Sequence, residues 1–353
     1  MKSLFPLLFF FLTVGCAVSA QPRPGAGLEN GPPKGYVCGR ASGPIKIDGR
    51  LSDAAWRHAP WTDAFVDIEG SLKPAPRYGT RVKMLWDDRF LYIGAMLDEP
   101  QLWATLTKRD TIIFYDNDFE VFIDPDGDNH EYYELEMNAR NTVWDLFLPL
   151  PYRDGGKAAD AWDIAGLRTA VHVDGSLNDP HDVDRGWSAE IAIPWQALRG
   201  HAHSPVPPRE GDRWRINFSR VEWDVEVTDG KYQKIKGHPE NNWVWSPQWV
   251  IDMHWPELWG ILQFTKKPSA RARFVPDPSL PARALLMSVY YAQVDYRASH
   301  GHWAARLEET GLGVDRLAHV QFFFGGEKWT AEARMGENRW RVTQDSKLER
   351  VEP

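Results

Sequence analysis

Acidic side chains crowd one stretch of the sequence, Asn117 to Asn138, which reads NDFEVFIDPDGDNHEYYELEMN. Two runs of alternating residues flank a turn bearing Asp and Gly, the pattern of an antiparallel hairpin. Side chains alternate along a strand, so Phe119, Val121, Ile123, Tyr133, Leu135 and Met137 share one face, the core face. The opposite face gathers Asp118, Glu120, Glu134, Glu136 and Asn138 across the ladder. Carboxylates this close repel one another unless solvated, bound to a metal or met by donors, and three chemistries are open. The face is a wet outer surface, as in many antiparallel sheets. Or it is a binding surface, where carboxylate and amide oxygens accept hydrogen bonds from sugar hydroxyls and nearby rings cover the C–H face of a pyranose. Or two of the carboxylates hydrolyse a glycosidic bond, which needs a separation of roughly 5 to 10 Å.

The turn Asp124-Pro125-Asp126-Gly127-Asp128-Asn129 offers three hard oxygen ligands at alternate positions, Asp124, Asp126 and Asp128, and calcium is the ion they suit. The helix-loop-helix calcium pattern is not met, because Asn129 stands where its glycine belongs and Leu135 where its closing glutamate belongs. Asp-Gly is also an ordinary hairpin turn. The chain has no Gly-rich phosphate loop, no paired-cysteine metal motif and no Gly-x-Ser-x-Gly elbow. His201 and His203 lie in a Pro-rich loop and read as solvated. His254 sits in a dense aromatic segment, Trp249 to Gly260, which is either a packed lid or a platform for a sugar ring. Tyr115, Trp144 and Trp255 are the candidate stacking rings, with Glu120, Glu136, Asn138 and His254 as their polar partners.

These residues need a rigid frame. Strand-like runs recur at Thr80 to Trp86, Phe90 to Leu97, Thr142 to Leu148, Leu167 to Val173, Gly186 to Ile193, Arg213 to Trp223, Trp243 to Trp245 and Trp259 to Phe264. Gly, Pro, Asn or Asp separates them and no long amphipathic helix intervenes, which predicts an all-β antiparallel β-sandwich of immunoglobulin or jelly-roll type. One helical turn is expected around Leu51 to Trp56. Eighteen Trp among 353 residues suit a core of rings with some left over for flat binding surfaces. A net charge of -8 argues against nucleic acid or an anionic membrane as partner.

Lys2, the apolar run Leu4 to Val14 and the small residues ending at Ala20 predict a signal peptide over 1–20 and hence export to the periplasm or beyond; lipidation of Cys16 is the alternative. With cleavage there, only Cys38 remains, so no disulfide framework supports the fold. Residues 21–43, rich in Pro and Gly, read as a tether, and the sandwich is expected over 44–265. Residues 266–281 read as a linker to a small α+β appendix, 282–353: a helix from Ala282 to about Ser299, a helical piece near Trp303 to Glu309, then strands at Ala318 to Phe324 and Trp329 to Arg334. No later segment is apolar enough to be a transmembrane helix.

Four stretches, Ile47 to Trp56, Val82 to Tyr92, Asn117 to Pro125 and Gly186 to Trp195, resemble in order and spacing the landmarks of family 9 carbohydrate-binding modules, across Pro44 to Phe264. The resemblance implies a sandwich that binds saccharides without catalysis, often beside or fused to polysaccharide-degrading enzymes such as glycoside hydrolases, with calcium as a structural ion in some members. It implies two aromatic rings clamping a terminal sugar. Glu120 matches the family's glutamate of the first hairpin strand and Asn138 the asparagine ending the second. Phe114-Tyr115 replaces the first clamp tryptophan, Glu136 replaces an arginine, and the second clamp falls within Trp249 to Trp255. Three other function classes stay open: a glycan hydrolase using hairpin carboxylates; an exported haem-binding sandwich with Met or Lys ligands, for which Met137 points to the core face; and a structural surface module in which the sandwich only positions the C-terminal appendix.

Overall fold

The computed structural model describes residues 31–336 and 338–351; the expected signal peptide, Cys16 and the first ten residues of the Pro/Gly-rich segment, 21–30, lie outside them. The strands are β1 (Gly35–Arg40), β2 (Val66–Asp67), β3 (Thr80–Trp86), β4 (Phe90–Asp98), β5 (Asp118–Asp124), β6 (Tyr132–Asn138), β7 (Val143–Leu148), β8 (Arg168–Asp174), β9 (Gly186–Pro194), β10 (Arg213–Glu222), β11 (Val225–Thr228), β12 (Lys231–Lys234), β13 (Asn241–Val244) and β14 (Gly260–Thr265). Ten of them run in the order β7-β6-β5-β10-β14-β1-β3-β4-β9-β8, and the sheet folds over on itself; β13 pairs with β10 and β2, and β11 and β12 form a separate hairpin. Its two halves share one core, in which Phe119, Val121, Ile123 and Phe218 from one half join Leu91, Ile93, Ala189 and Ile191 from the other. The all-β sandwich is as the alternation predicts.

One strand departs from the antiparallel expectation. β1 runs parallel to both β14 and β3 and joins the two halves. It lies inside the segment expected to be a tether, so order begins at Gly35 or before rather than at Pro44. Its apolar run, Tyr36-Val37-Cys38, is too short to stand out among the prolines and glycines around it. The expected linker is also more than a link. Ser269 Oγ accepts the Gly39 N–H at 2.9 Å and Gln263 Oε1 accepts the Val275 N–H at 2.8 Å, which lays 266–281 along the sandwich.

Six of the eighteen tryptophans lie in this core. Trp86, Trp195, Trp214 and Phe264 meet edge to face at one end, with centroids 5.2 to 6.4 Å apart, a geometry that places positive ring edges on negative ring faces. Two of the sequence landmarks are tied together by one buried side chain. The Glu190 carboxylate accepts the Asp48 and Gly49 N–H groups at 2.8 Å and the Trp56 indole N–H at 2.7 Å. Gly49 has φ +83°, and a Cβ there would lie 2.5 Å from the backbone of Val171 and His172, so only glycine fits.

The C-terminal part holds the helix Leu280–His300 and a four-stranded sheet, β15 (Val320–Phe324), β16 (Trp329–Met335), β17 (Asn338–Thr343) and β18 (Leu348–Val351). The helix and the first two strands follow the expected pattern; β17 and β18 were not foreseen. Its core contains Leu286, Tyr290, Tyr291 and Trp329, and it also contains Val250, Trp255 and Leu258 from the sandwich. A core made from both parts couples their unfolding. We expect a single thermal transition in scanning calorimetry. Leu286→Ala, at a site with no exposed surface, should lower stability by about 2–5 kcal/mol and move that whole transition. Two separated transitions, only one of them shifted, would show that the parts unfold independently.

Candidate functional site

The acidic hairpin forms in the expected register. Asp118 pairs with Asn138, Glu120 with Glu136 and Phe122 with Glu134, while Phe119, Val121 and Ile123 pair with Met137, Leu135 and Tyr133 on the core face. Neighbouring strands extend the row, with Ser219 of β10 beside Glu120 and Trp144 of β7 beside Glu136. The row is not a wet outer face. Ile68, Met253 and Trp259 pack over this side of the hairpin with Phe122, Tyr132 and Leu146, and the acids are almost wholly covered.

What remains open above them is a hollow of about 270 Å³ lined by Glu120, Glu134, Glu136, Trp144, Tyr152 and His254, with Phe114, Glu240 and Asn242 at its sides. A larger hollow of about 880 Å³ adjoins it and shares Glu240, Asn242 and Ile251. Glu120, Glu136, Trp144 and His254, all singled out from sequence, therefore come together. Tyr152 was missed: it lies in a short turn after Pro149 and Pro151, without the alternation that marks a strand. Its ring meets the His254 imidazole edge to face at 4.5 Å.

Three predicted residues stand elsewhere. Asn138 is fully engaged inside the fold: its Nδ2 donates to Leu106 O and Asp116 Oδ2, both at 2.9 Å, and its Oδ1 accepts the Arg140 and Thr142 N–H groups. It builds the turn after β6 and has no group left for a sugar hydroxyl. Trp255 turns away from the hollow to stack on Tyr291 at 5.1 Å. Tyr115 is exposed but lies outside the hollow, edge to face with Phe114 at 5.1 Å. His201 and His203, expected to be solvated, flank Glu131, and His201 stacks on Phe147 at 4.2 Å.

The expected calcium turn uses its carboxylates internally. Asp124 accepts the Gly127 and Asn129 N–H groups, and Asp128 accepts the His130 N–H. Positive charge comes from the C-terminal part, with the Lys347 ammonium 3.4 Å from Asp128. Asn129 Nδ2 donates to Ser346 O and Leu348 N–H to Asp128 O, which makes the turn a docking point for that part. One oxygen from each of Asp124, Asp126 and Asp128 lies within 4.8 Å of the others; of the three, Lys347 pairs only with Asp128, and burial with mutual repulsion raises Asp124 well above the usual carboxylate range and Asp126 to about 7.

The C-terminal part also fixes the hollow's walls. Glu257 pairs with Arg153 at 3.0 Å and accepts the Tyr291 hydroxyl, and the Arg153 guanidinium lies 5.2 Å from the Trp255 ring. Tyr152 precedes Arg153 and His254 precedes Trp255, so the packing that anchors one residue of each pair holds the other toward the hollow. Burial raises Glu134 and Glu136 well above the usual carboxylate range and Glu120 to about 7. The His254 ring, packed against Phe122 and Tyr132 with Nδ1 3.0 Å from the Tyr132 hydroxyl, is lowered by burial to about 4.

The sequence model of the carbohydrate family 9 binding domain-like family matches residues 47–244. The chain belongs to that family, and its class is that of a non-catalytic saccharide-binding module. Among solved structures, a protein from Bacteroides uniformis assigned as carbohydrate-binding is similar in fold, with 16% identity and a TM-score of 0.50 over 66% of this chain and 99% of that one. A carbohydrate binding module family 9 from Caldicellulosiruptor kristjanssonii in complex with cellotriose matches at 14% identity and a TM-score of 0.42, over 69% of this chain and 100% of that one. No curated protein matches the chain.

Two outcomes follow from this geometry. Asn138→Ala should lower stability by at least about 2 kcal/mol, measured by urea unfolding, because it orphans buried backbone donors; an unchanged midpoint contradicts its structural role. His254 carries a pKa of about 4 against an ordinary 6.5. As pH falls below 6.5 the unfolded chain takes up this proton first, so His254 costs stability progressively down to about pH 4. His254→Gln should therefore lose less stability than the parent between pH 7 and pH 4; equal losses contradict the assignment.

Proposed function

We propose that the hollow between β5, β6, β7 and the 249–255 segment is the saccharide site, and that the chain binds one or two sugar units there without catalysis. The observation that carries this is the joining of buried hydroxyl acceptors, Glu120 and Glu136, with a half-buried indole, Trp144, in one hollow of about 270 Å³. Acceptors fix the hydroxyls and the rings of Trp144 and Tyr152 cover C–H faces, the division of labour that a small polar ligand requires. The adjoining larger hollow leaves room for further units of an oligosaccharide.

Hydrolysis is disfavoured by the same geometry. A glycosidase sets an acid and a second carboxylate on either side of the scissile bond, whereas Glu120 and Glu136 are direct cross-strand partners on one face. Met137, the candidate haem ligand, packs in the main core with no exposed surface. The apolar N-terminal run supports export, and export would place the module beside glycoside hydrolases acting on the same polysaccharide. Among the described residues no helix is long and apolar enough to cross a membrane.

Titration calorimetry with glucose, cellobiose, xylose and longer oligosaccharides tests the proposal. Binding in the millimolar to micromolar range is expected, weakened roughly tenfold by Trp144→Ala and by Glu120→Gln. Binding unaffected by both substitutions places the saccharide elsewhere.

A further inference from the structure

Several buried acids elsewhere in this chain are matched with cations, and others, such as Glu190, with N–H donors. Glu99 and Glu222 share Arg220, Glu257 has Arg153, and Glu332 has Arg339 and Arg341. Asp118, Glu120 and Glu136 are just as buried, yet among the described residues no basic side chain pairs with them, and the charges that act on them are those of other acids. Their donors are few. Asp118 Oδ1 accepts the Val221 N–H at 3.2 Å, and Glu136 Oε2 accepts the Ile113 and Phe114 N–H groups at 3.1 Å. Asp118 Oδ2 is buried with no hydrogen-bond partner, on a residue with no exposed surface. A carboxylate oxygen in that state is costly unless a cation meets it. One oxygen from each of the three residues lies within 4.8 Å of the others, and oxygens on opposite sides of a calcium ion are about 5 Å apart.

We propose that Asp118, Glu120 and Glu136 form a site for a divalent cation of the calcium class at the floor of the hollow, and that vicinal hydroxyls of the bound saccharide complete its coordination. The donor set is entirely oxygen, the preference of a hard cation, and the Ser219 hydroxyl faces Glu120 across the ladder as a further donor. Three carboxylates leave several of the ion's six to eight positions free, and two of the three ligands, Glu120 and Glu136, line the hollow. A sugar diol there displaces two waters from the ion. The ion site stands on the acids alone; the bridging of hydroxyls rests on the saccharide reading above.

Two measurements separate these claims. The full chain, dialysed against chelator, is titrated with calcium chloride in the absence of sugar. Binding of calcium is expected, weakened at least tenfold by Asp118→Asn and by Glu136→Gln and retained by Asp126→Asn in the hairpin turn. Terbium luminescence excited through tryptophan provides a readout in the parent chain: it should appear on titration and fall in Trp144→Phe, whose indole lines the same hollow. Absence of calcium and terbium binding, or its loss only in Asp126→Asn, overturns the site. Saccharide titration is then compared in calcium and in chelator. A protein that binds calcium but holds saccharide equally well in chelator overturns the bridging role and leaves the saccharide site standing, whereas binding of the ion with no saccharide binding under either condition removes the saccharide reading and leaves the ion.

Discussion

A carboxylate in the middle of a strand cannot move out of the way. Asp118, Glu120, Glu134 and Glu136 are held at fixed positions by the β5–β6 ladder, while their core-face neighbours anchor the same strands between the two halves of the sandwich. Sliding the register by one residue would put the acids in the core and the apolar set outside, so the register that buries Phe119, Val121, Ile123, Leu135 and Met137 also fixes the acids on the other face. Burial then raises their pKa values, and among the described residues no arginine pairs with them to offset it. The cost is tolerable if the face exists to meet a ligand that supplies hydroxyls or positive charge.

The rest of the molecule holds the space above that face at a fixed size. Ile68, Met253 and Trp259 close part of it. Tyr152 and His254 form a wall whose sequence neighbours, Arg153 and Trp255, are locked to the helix Leu280–His300 through Glu257 and Tyr291. The C-terminal part therefore has a role in the site without touching it: it braces two wall residues. Its second anchor is the Asp124–Asn129 turn, where Lys347, Ser346 and Leu348 meet groups that sequence alone suggests for calcium.

The sequence makes the sheet faces legible because alternation is a local property. The hairpin register, most strands from Thr80 to Phe264 and the helix near Ala282 can be read from periodicity and turn residues alone, whereas the short β11 and β12 are not among the expected runs. What it hides is non-local. Nothing near Asn138 announces that Leu106 and Asp116 will use its amide, and nothing near Trp255 announces a partner at Tyr291. β1 escapes notice because parallel pairing with β14 joins residues more than two hundred positions apart. The landmark residues Asp48, Gly49 and Trp56 serve the fold through Glu190.

The most direct measurement of the central claim is a crystal structure of the protein grown with a bound oligosaccharide and calcium. Density for a sugar ring against Trp144, with hydroxyls directed at the Glu120–Glu136 pair, is the predicted result. A saccharide bound elsewhere, with the hollow filled only by water, would contradict it.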